Sequence, residues 1–179
     1  MCLNSHDDKI KTYHFDLWKI FHFYNWKWIN TVVPKQELKV INSIMSPTLI
    51  PYLYFNGETA NAMKFYHSIL GGELNMQTFG EAGVAQTPAD QNRIIHAELK
   101  NEFLSFMASD GRHGQMIKFG DNIHLSVGGS EKEKLTDYFN GLAKGGRVDM
   151  HLSKQFWGDV YGMLTDKYGI HWMINITQQ

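Results

Sequence analysis

The hexapeptide ILGGEL at residues 69–74 and the heptapeptide LAKGGRV at residues 142–148 decide the fold, because each ends a helical pattern on a glycine pair and opens a strand. Ahead of the first, Ala62, Phe65, Tyr66 and Ile69 recur at helical spacing. Ahead of the second, Leu135, Tyr138, Phe139 and Leu142 do the same. Glycine stops a helix because it adopts the left-handed backbone that other residues resist. The two marks lie about 75 residues apart, a period that reads as an internal duplication.

The punctuation is regular on either side of these marks. Residues 48–55 are apolar and β-prone and close on the turn pair Asn56-Gly57, and the helix 58–70 follows. Short strands are expected at 74–79, 93–99 and 103–108, with a long Gly-, Pro-, Ala- and Gln-rich loop over 80–92. The order then repeats as a strand at 122–127, a helix at 131–143, and strands at 148–152, 157–164 and 171–176. Strand, helix, three strands, twice over, predicts an α+β domain of tandem βαβββ modules. The expected architecture is a curved eight-strand, mostly antiparallel sheet with two helices on its outer face.

Composition changes near Met45. Residues 1–44 hold eight of the 24 aromatic side chains and no glycine, so they are set apart from the patterned domain at 45–179. Leu17, Ile20, Phe21, Tyr24 and Trp28 fall at helical spacing. The stretch reads either as a docking helix or as a leader ahead of a start at Met45. Its most apolar run, 16–33, is broken by Lys19 and Lys27, and no membrane span is expected. Acids stand at the N-terminus where a signal peptide carries positive charge. The single cysteine, Cys2, excludes an internal disulfide framework and a thiolate metal site, and a cytoplasmic location follows as the expectation. A formal charge of −1 argues against a nucleic-acid partner.

Strand periodicity separates two faces. Ile123, Leu125 and Val127 alternate with Asn122, His124 and Ser126. Trp172, Ile174 and Ile176 alternate with His171, Met173 and Asn175. Ile95, Ala97 and Leu99 are set against Ile94, His96 and Glu98. The apolar faces suit packing under the helices, and the mixed faces, if the sheet curls, converge on a cleft for a small ligand. Trp157 and Tyr161 share a face of the seventh strand and could stack on a planar molecule.

The segment PYLYFNGETANAMKFYHSILGGEL and the closing QFWGDVYGMLTDKYGIHWMINI resemble the PhnB-like branch of the glyoxalase/bleomycin resistance/dioxygenase, or vicinal oxygen chelate, superfamily. The carrying pattern is Trp157, Gly158, Asp159, Tyr161, Gly162, Asp166, Gly169 and Trp172. The resemblance implies the paired βαβββ fold and a homodimer. In metal-dependent relatives four strands supply His, Glu or Gln ligands. The motif places those positions on Ile50 or Tyr52, Ser105 or Met107, Asn122, and Met173, which are poor donors for a divalent ion. No metal and no cofactor are therefore expected. The expected ligand-binding residues are Tyr52, His96, Met107, His124, Trp157, Tyr161, Met173 and Asn175, holding a small, planar or weakly polar molecule. The alternative is an enzyme of the superfamily, using a displaced metal site among His124, His171, Glu98 and Glu81, or acid/base chemistry at His96, His124 and Glu98.

Overall fold

The computed structural model describes residues 47–178 of the 179-residue chain. The stretch 1–44, with its expected docking helix or leader, lies outside the described residues. The elements run β1 (Tyr52–Tyr54), α1 (Thr59–Leu70), β2 (Glu73–Thr78), a 3₁₀ turn (Pro88–Asp90), β3 (Ile94–Lys100), β4 (Ser105–Ser109), β5 (Leu125–Gly129), α2 (Lys132–Leu142), β6 (Arg147–Lys154), β7 (Val160–Thr165) and β8 (His171–Ile176). Both repeats are thus βαβββ modules. The eight strands divide into two four-stranded sheets, ordered β1-β4-β3-β2 and β5-β8-β7-β6. In each module the helix carries the chain back and the next three strands meander, so the fourth strand lies parallel to the first. The pairs β1–β4 and β5–β8 are parallel, and the other pairs are antiparallel.

One face of each sheet is sealed by its helix. Ala62, Met63, Tyr66 and Leu70 of α1 are buried with Ala97, Leu99, Phe106 and Ala108. Leu135, Phe139 and Leu142 of α2 are buried with Leu164, Trp172, Ile174 and Ile176. Burial of these side chains supplies the main drive to fold. The helices approach closely: a Cβ on Gly141 would stand 2.8 Å from Ile69 Cγ2. α1 has no cap from its own N-terminal residue. Asp110, at the end of β4, serves instead: its Oδ1 accepts from Thr59 N at 3.0 Å and from the Thr59 hydroxyl, and its Oδ2 accepts from Ile94 N at 2.7 Å. One buried carboxylate therefore ties β4, α1 and β3 together.

Three strand expectations are corrected. Gln77 pairs with His96 and Thr78 with Ile94, leaving Ile95 as the extra residue of a β-bulge. The bulge swaps two neighbours. Ile94 is buried with Ala97 and Leu99, and Ile95, expected beside them, faces a cavity instead. Second, the fifth strand begins at Leu125, not 122, and Ile123 is 72% exposed. Ahead of it, Asn56 exchanges hydrogen bonds with Ile117 N (2.8 Å) and Ile117 O (3.1 Å), tying that segment to the β1–α1 turn. Third, β7 begins at Val160, so Trp157 sits in the turn before it.

Candidate functional site

The open face of the first sheet is built from cross-strand rows. Tyr52 pairs with Met107, Met107 with Glu98, and Glu98 with Asn75, so one row crosses all four strands. Tyr54 and Ser109 pair one step along. Tyr52 Oη lies 3.3 Å from His96 Nδ1, and the Tyr52 and Tyr54 rings are 5.1 Å apart. Tyr52, His96 and Met107 are therefore brought together. Beside Tyr52 opens a cavity of about 820 Å³, walled by Tyr52, Tyr54, Phe79 and Ile95, with Arg112 and His113 on its rim. A smaller one of about 330 Å³ shares Phe79, Arg112 and His113 and reaches Asp90.

Asp90 organises that rim. It is buried, and its Oδ2 accepts from the Thr87 hydroxyl (2.7 Å), Thr87 N (3.1 Å) and His113 Nδ1 (2.9 Å), while Oδ1 takes Arg93 at 2.8 Å. The Thr87 hydroxyl, then the Arg93 guanidinium, hold its carboxyl down to about 2. An ionised carboxylate only accepts, so His113 Nδ1 carries the proton. Arg93 also donates to the Asp110 carbonyl at 2.6 Å. The long loop over 80–92 is thus tied to the cavity rim by a charged network. The exposed Arg112 guanidinium makes no hydrogen bond or ion pair among the described residues.

The other five expected residues belong to the second module: Tyr161, Met173 and Asn175 stand on its sheet, His124 lies just ahead of β5 and Trp157 in the turn before β7. Met173 pairs with Met163 and Ser126, and Asn175 with Tyr161. Asn175 Nδ2 donates to Asp159 at 2.8 Å, and the Trp157 and Tyr161 rings meet edge to face at 5.7 Å. Burial pushes the Tyr161 phenol up. His124 stacks on His171 at 4.9 Å. Its Nε2 lies 3.2 Å from the Asp121 carbonyl, which can only accept, so Nε2 holds the hydrogen. Nδ1 is buried and has no partner among the described residues. His171 Nδ1 lies 2.9 Å from the Thr165 hydroxyl, which donates its one proton to Asp149 at 2.8 Å. His171 Nδ1 must therefore donate, and its Nε2 is left as the acceptor. The Thr165 hydroxyl and then Arg147 lower the Asp149 carboxyl. A cavity of about 490 Å³ is lined by Tyr52, Lys118, Phe119, Asn122, Ile123 and His171.

The eight expected residues fall into two groups, one per module, and of them only Tyr52 borders the cavities of about 820 and 490 Å³. The expected ligand-binding set leaves out Tyr54, Phe79, Ile95, Arg112 and His113, which line the larger of the two. Tyr54 was legible, since it lies two residues from Tyr52 and so on the same strand face. Arg112-His113 sits between Gly111 and Gly114, a turn signal. Ile95 required the bulge.

The four positions that hold metal in metal-dependent relatives do not fit one here. Ile50 or Tyr52, Ser105 or Met107, Asn122 and Met173 offer at most a phenol, a hydroxyl or thioether, an amide and a thioether, while divalent ions select imidazole and carboxylate. Among the described residues no three His, Cys, Asp or Glu side chains are gathered to hold an ion.

Residues 47–175 match the family model described as 3-demethylubiquinone-9 3-methyltransferase. The chain is 29% identical to Protein YjdN of Escherichia coli (strain K12) over 142 residues, covering 73% of this chain and 96% of that protein. Among solved structures, protein PA1353 from Pseudomonas aeruginosa is 37% identical with a TM-score of 0.66, covering 75% of this chain and 100% of that one. The putative 3-demethylubiquinone-9 3-methyltransferase, PhnB protein, from Bacillus cereus is 26% identical with a TM-score of 0.62, covering 73% and 100%.

Proposed function

The chain belongs to the 3-demethylubiquinone-9 3-methyltransferase family of PhnB-like proteins, and from that premise we propose that it binds a small, planar, weakly polar or anionic molecule, without a metal ion, over its first sheet. The observation that carries this reading is the wall of Tyr52, Tyr54, Phe79 and Ile95 around an open cavity of about 820 Å³. Aromatic rings on a sheet face offer flat apolar area at low entropic cost, and a few polar groups on the rim fix orientation. His96, which lies 3.3 Å from the Tyr52 hydroxyl, and Met107, its cross-strand partner, hold Tyr52 in place at the edge of the cavity. Methyl transfer is not part of this reading, since no strand of the sequence runs into a G-x-G-x-x-G turn for a nucleotide cofactor. The protein acts in the cytoplasm as a homodimer, with residues 45–179 as its domain and 1–44 as an extension. No described helix is long and apolar enough to cross a membrane. The test is a thermal-shift screen of planar compounds on the metal-stripped full chain, repeated with Tyr54→Ala. Hits that need added metal, or that bind the variant equally, would overturn the reading.

A second reading has its own observation. The Asp149–Thr165–His171 relay fixes one imidazole tautomer beside the 490 Å³ cavity, an arrangement suited to proton transfer. Under it, Thr165→Val abolishes turnover of a substrate found by activity screening, and unchanged turnover excludes it.

A further inference from the structure

We infer that Arg112 and His113 form an oxyanion subsite, so that the molecule in the first-sheet cleft is a planar aromatic carboxylate whose binding draws a proton onto His113. The inference rests on the cleft reading above and deepens it. Both residues line the two adjoining cavities beside the rings of Tyr52, Tyr54 and Phe79. Arg112 is a cation without a partner among the described residues, and its planar fork of donors matches a carboxylate. Burying its charge against a neutral ligand would leave it unpaired, which disfavours that ligand.

His113 is already oriented. Its Nδ1–H is spent on Asp90 at 2.9 Å, so in the neutral ring Nε2 is a bare lone pair. A carboxylate beside Nε2 is repelled by that lone pair and attracted once it is protonated, so anion binding and proton binding reinforce each other. The charged and titratable groups around the ring are Asp90 from the 3₁₀ turn, Arg93 just ahead of β3, Arg112 beside it, and the phenols of Tyr52 and Tyr54 from β1. Asp90 is shared between Arg93 and His113, so it orients the imidazole while its charge is largely matched by Arg93.

The test is isothermal titration of the full chain with 2-aminobenzoate and with its neutral counterpart, 2-aminobenzamide. Each is run at pH 7.5 in two buffers of different ionisation enthalpy. The wild type should prefer the carboxylate by about tenfold or more, the scale of one charge-assisted hydrogen bond, and take up a fraction of a proton. Arg112→Ala should cut the preference severalfold, leaving only what His113 supplies, with Arg112→Lys restoring part of it. His113→Gln should keep a preference and abolish the proton uptake. Equal binding of acid and amide by the wild type, or proton uptake that survives His113→Gln, overturns the inference and leaves the cleft reading standing. Failure of every planar compound, neutral or anionic, to bind overturns the cleft reading and this inference with it.

Discussion

Tyr66 of α1 donates its hydroxyl to Asp166 Oδ2 at 2.8 Å across 100 residues of chain, and this is the polar bond at the centre of the apolar core. It joins the helix of the first module to the β7–β8 turn of the second. Burial and the Asp166 charge push the Tyr66 phenol well above its usual range, so it remains a donor. Asp166 also accepts from Trp172 Nε1 (2.8 Å), Tyr168 N (2.8 Å) and Ile170 N (3.0 Å).

That inventory sets an order of damage. Tyr66→Phe should cost about 1–2 kcal/mol, the scale of a lost hydrogen bond with an acceptor still satisfied by others. Asp166→Ala should cost about 3–5 kcal/mol, because it strands four donors in a buried site. Urea unfolding of the two variants measures both. Equal losses would mean that the bond between modules, rather than the carboxylate's full set of partners, governs stability.

Two glycines should respond in opposite ways. A Cβ at Gly162 of β7 would stand 2.8 Å from Phe139 Cε2, 3.0 Å from Leu152 Cδ2 and 3.1 Å from the Met150 carbonyl. Gly162→Ala should destabilise by about 1–3 kcal/mol through overpacking between α2 and the sheet. At Gly128 the nearest atom to such a Cβ is 3.6 Å away, and Gly128→Ala should stay within about 0.5 kcal/mol of wild type. Their melting temperatures check the contrast.

Asp90 makes the cavity rim acid-sensitive. Its carboxyl is lowered from 3.8 to about 2 on folding, first by the Thr87 hydroxyl and then by Arg93. A lowered folded pKa means that the native state favours the ionised form. Its contribution is present above about pH 4 and is lost as the pH falls towards 2. Asp90→Asn should flatten that part of the stability–pH curve while leaving the curve above pH 5 parallel to wild type. A thermal melt series from pH 2 to pH 6 reads this directly.

Ligand affinity should separate the two modules. Tyr52→Ala and Tyr54→Ala should each weaken binding of a planar compound by about 1–2 kcal/mol, the value of a stacked ring with its buried area. His124→Ala should change it by less than about 0.5 kcal/mol, because His124 lies just ahead of β5, stacked on His171, and does not line the first-sheet cavity. Titration by intrinsic fluorescence gives all three numbers, and a large loss in His124→Ala would join the two groups into one site.

The sequence by itself determined the modules, their two helices and most of the core. Period-3.6 and period-2 spacing report which side of an element is apolar, and glycine pairs report where it must stop. Trp172, Ile174 and Ile176 are buried as their alternation predicts, and Tyr66 and Leu142 lie inward as their helices require. The family was legible too, from the tight Trp157-to-Trp172 pattern.

What only the tertiary structure decided lies where a local rule is overridden by a distant partner. Ile94 and Ile95 exchange faces because β2 pairs one residue short, and the register of a neighbouring strand is invisible in a single stretch. Ile117, ahead of the fifth strand, is bonded to Asn56 from 61 residues away, and α1 is capped by Asp110 from 51 residues away. His113 gains its role from Asp90, which lies 23 residues back in the chain but 2.9 Å away. Periodicity is a property of neighbours in sequence. The cleft is made by side chains that become neighbours only when the strands pair.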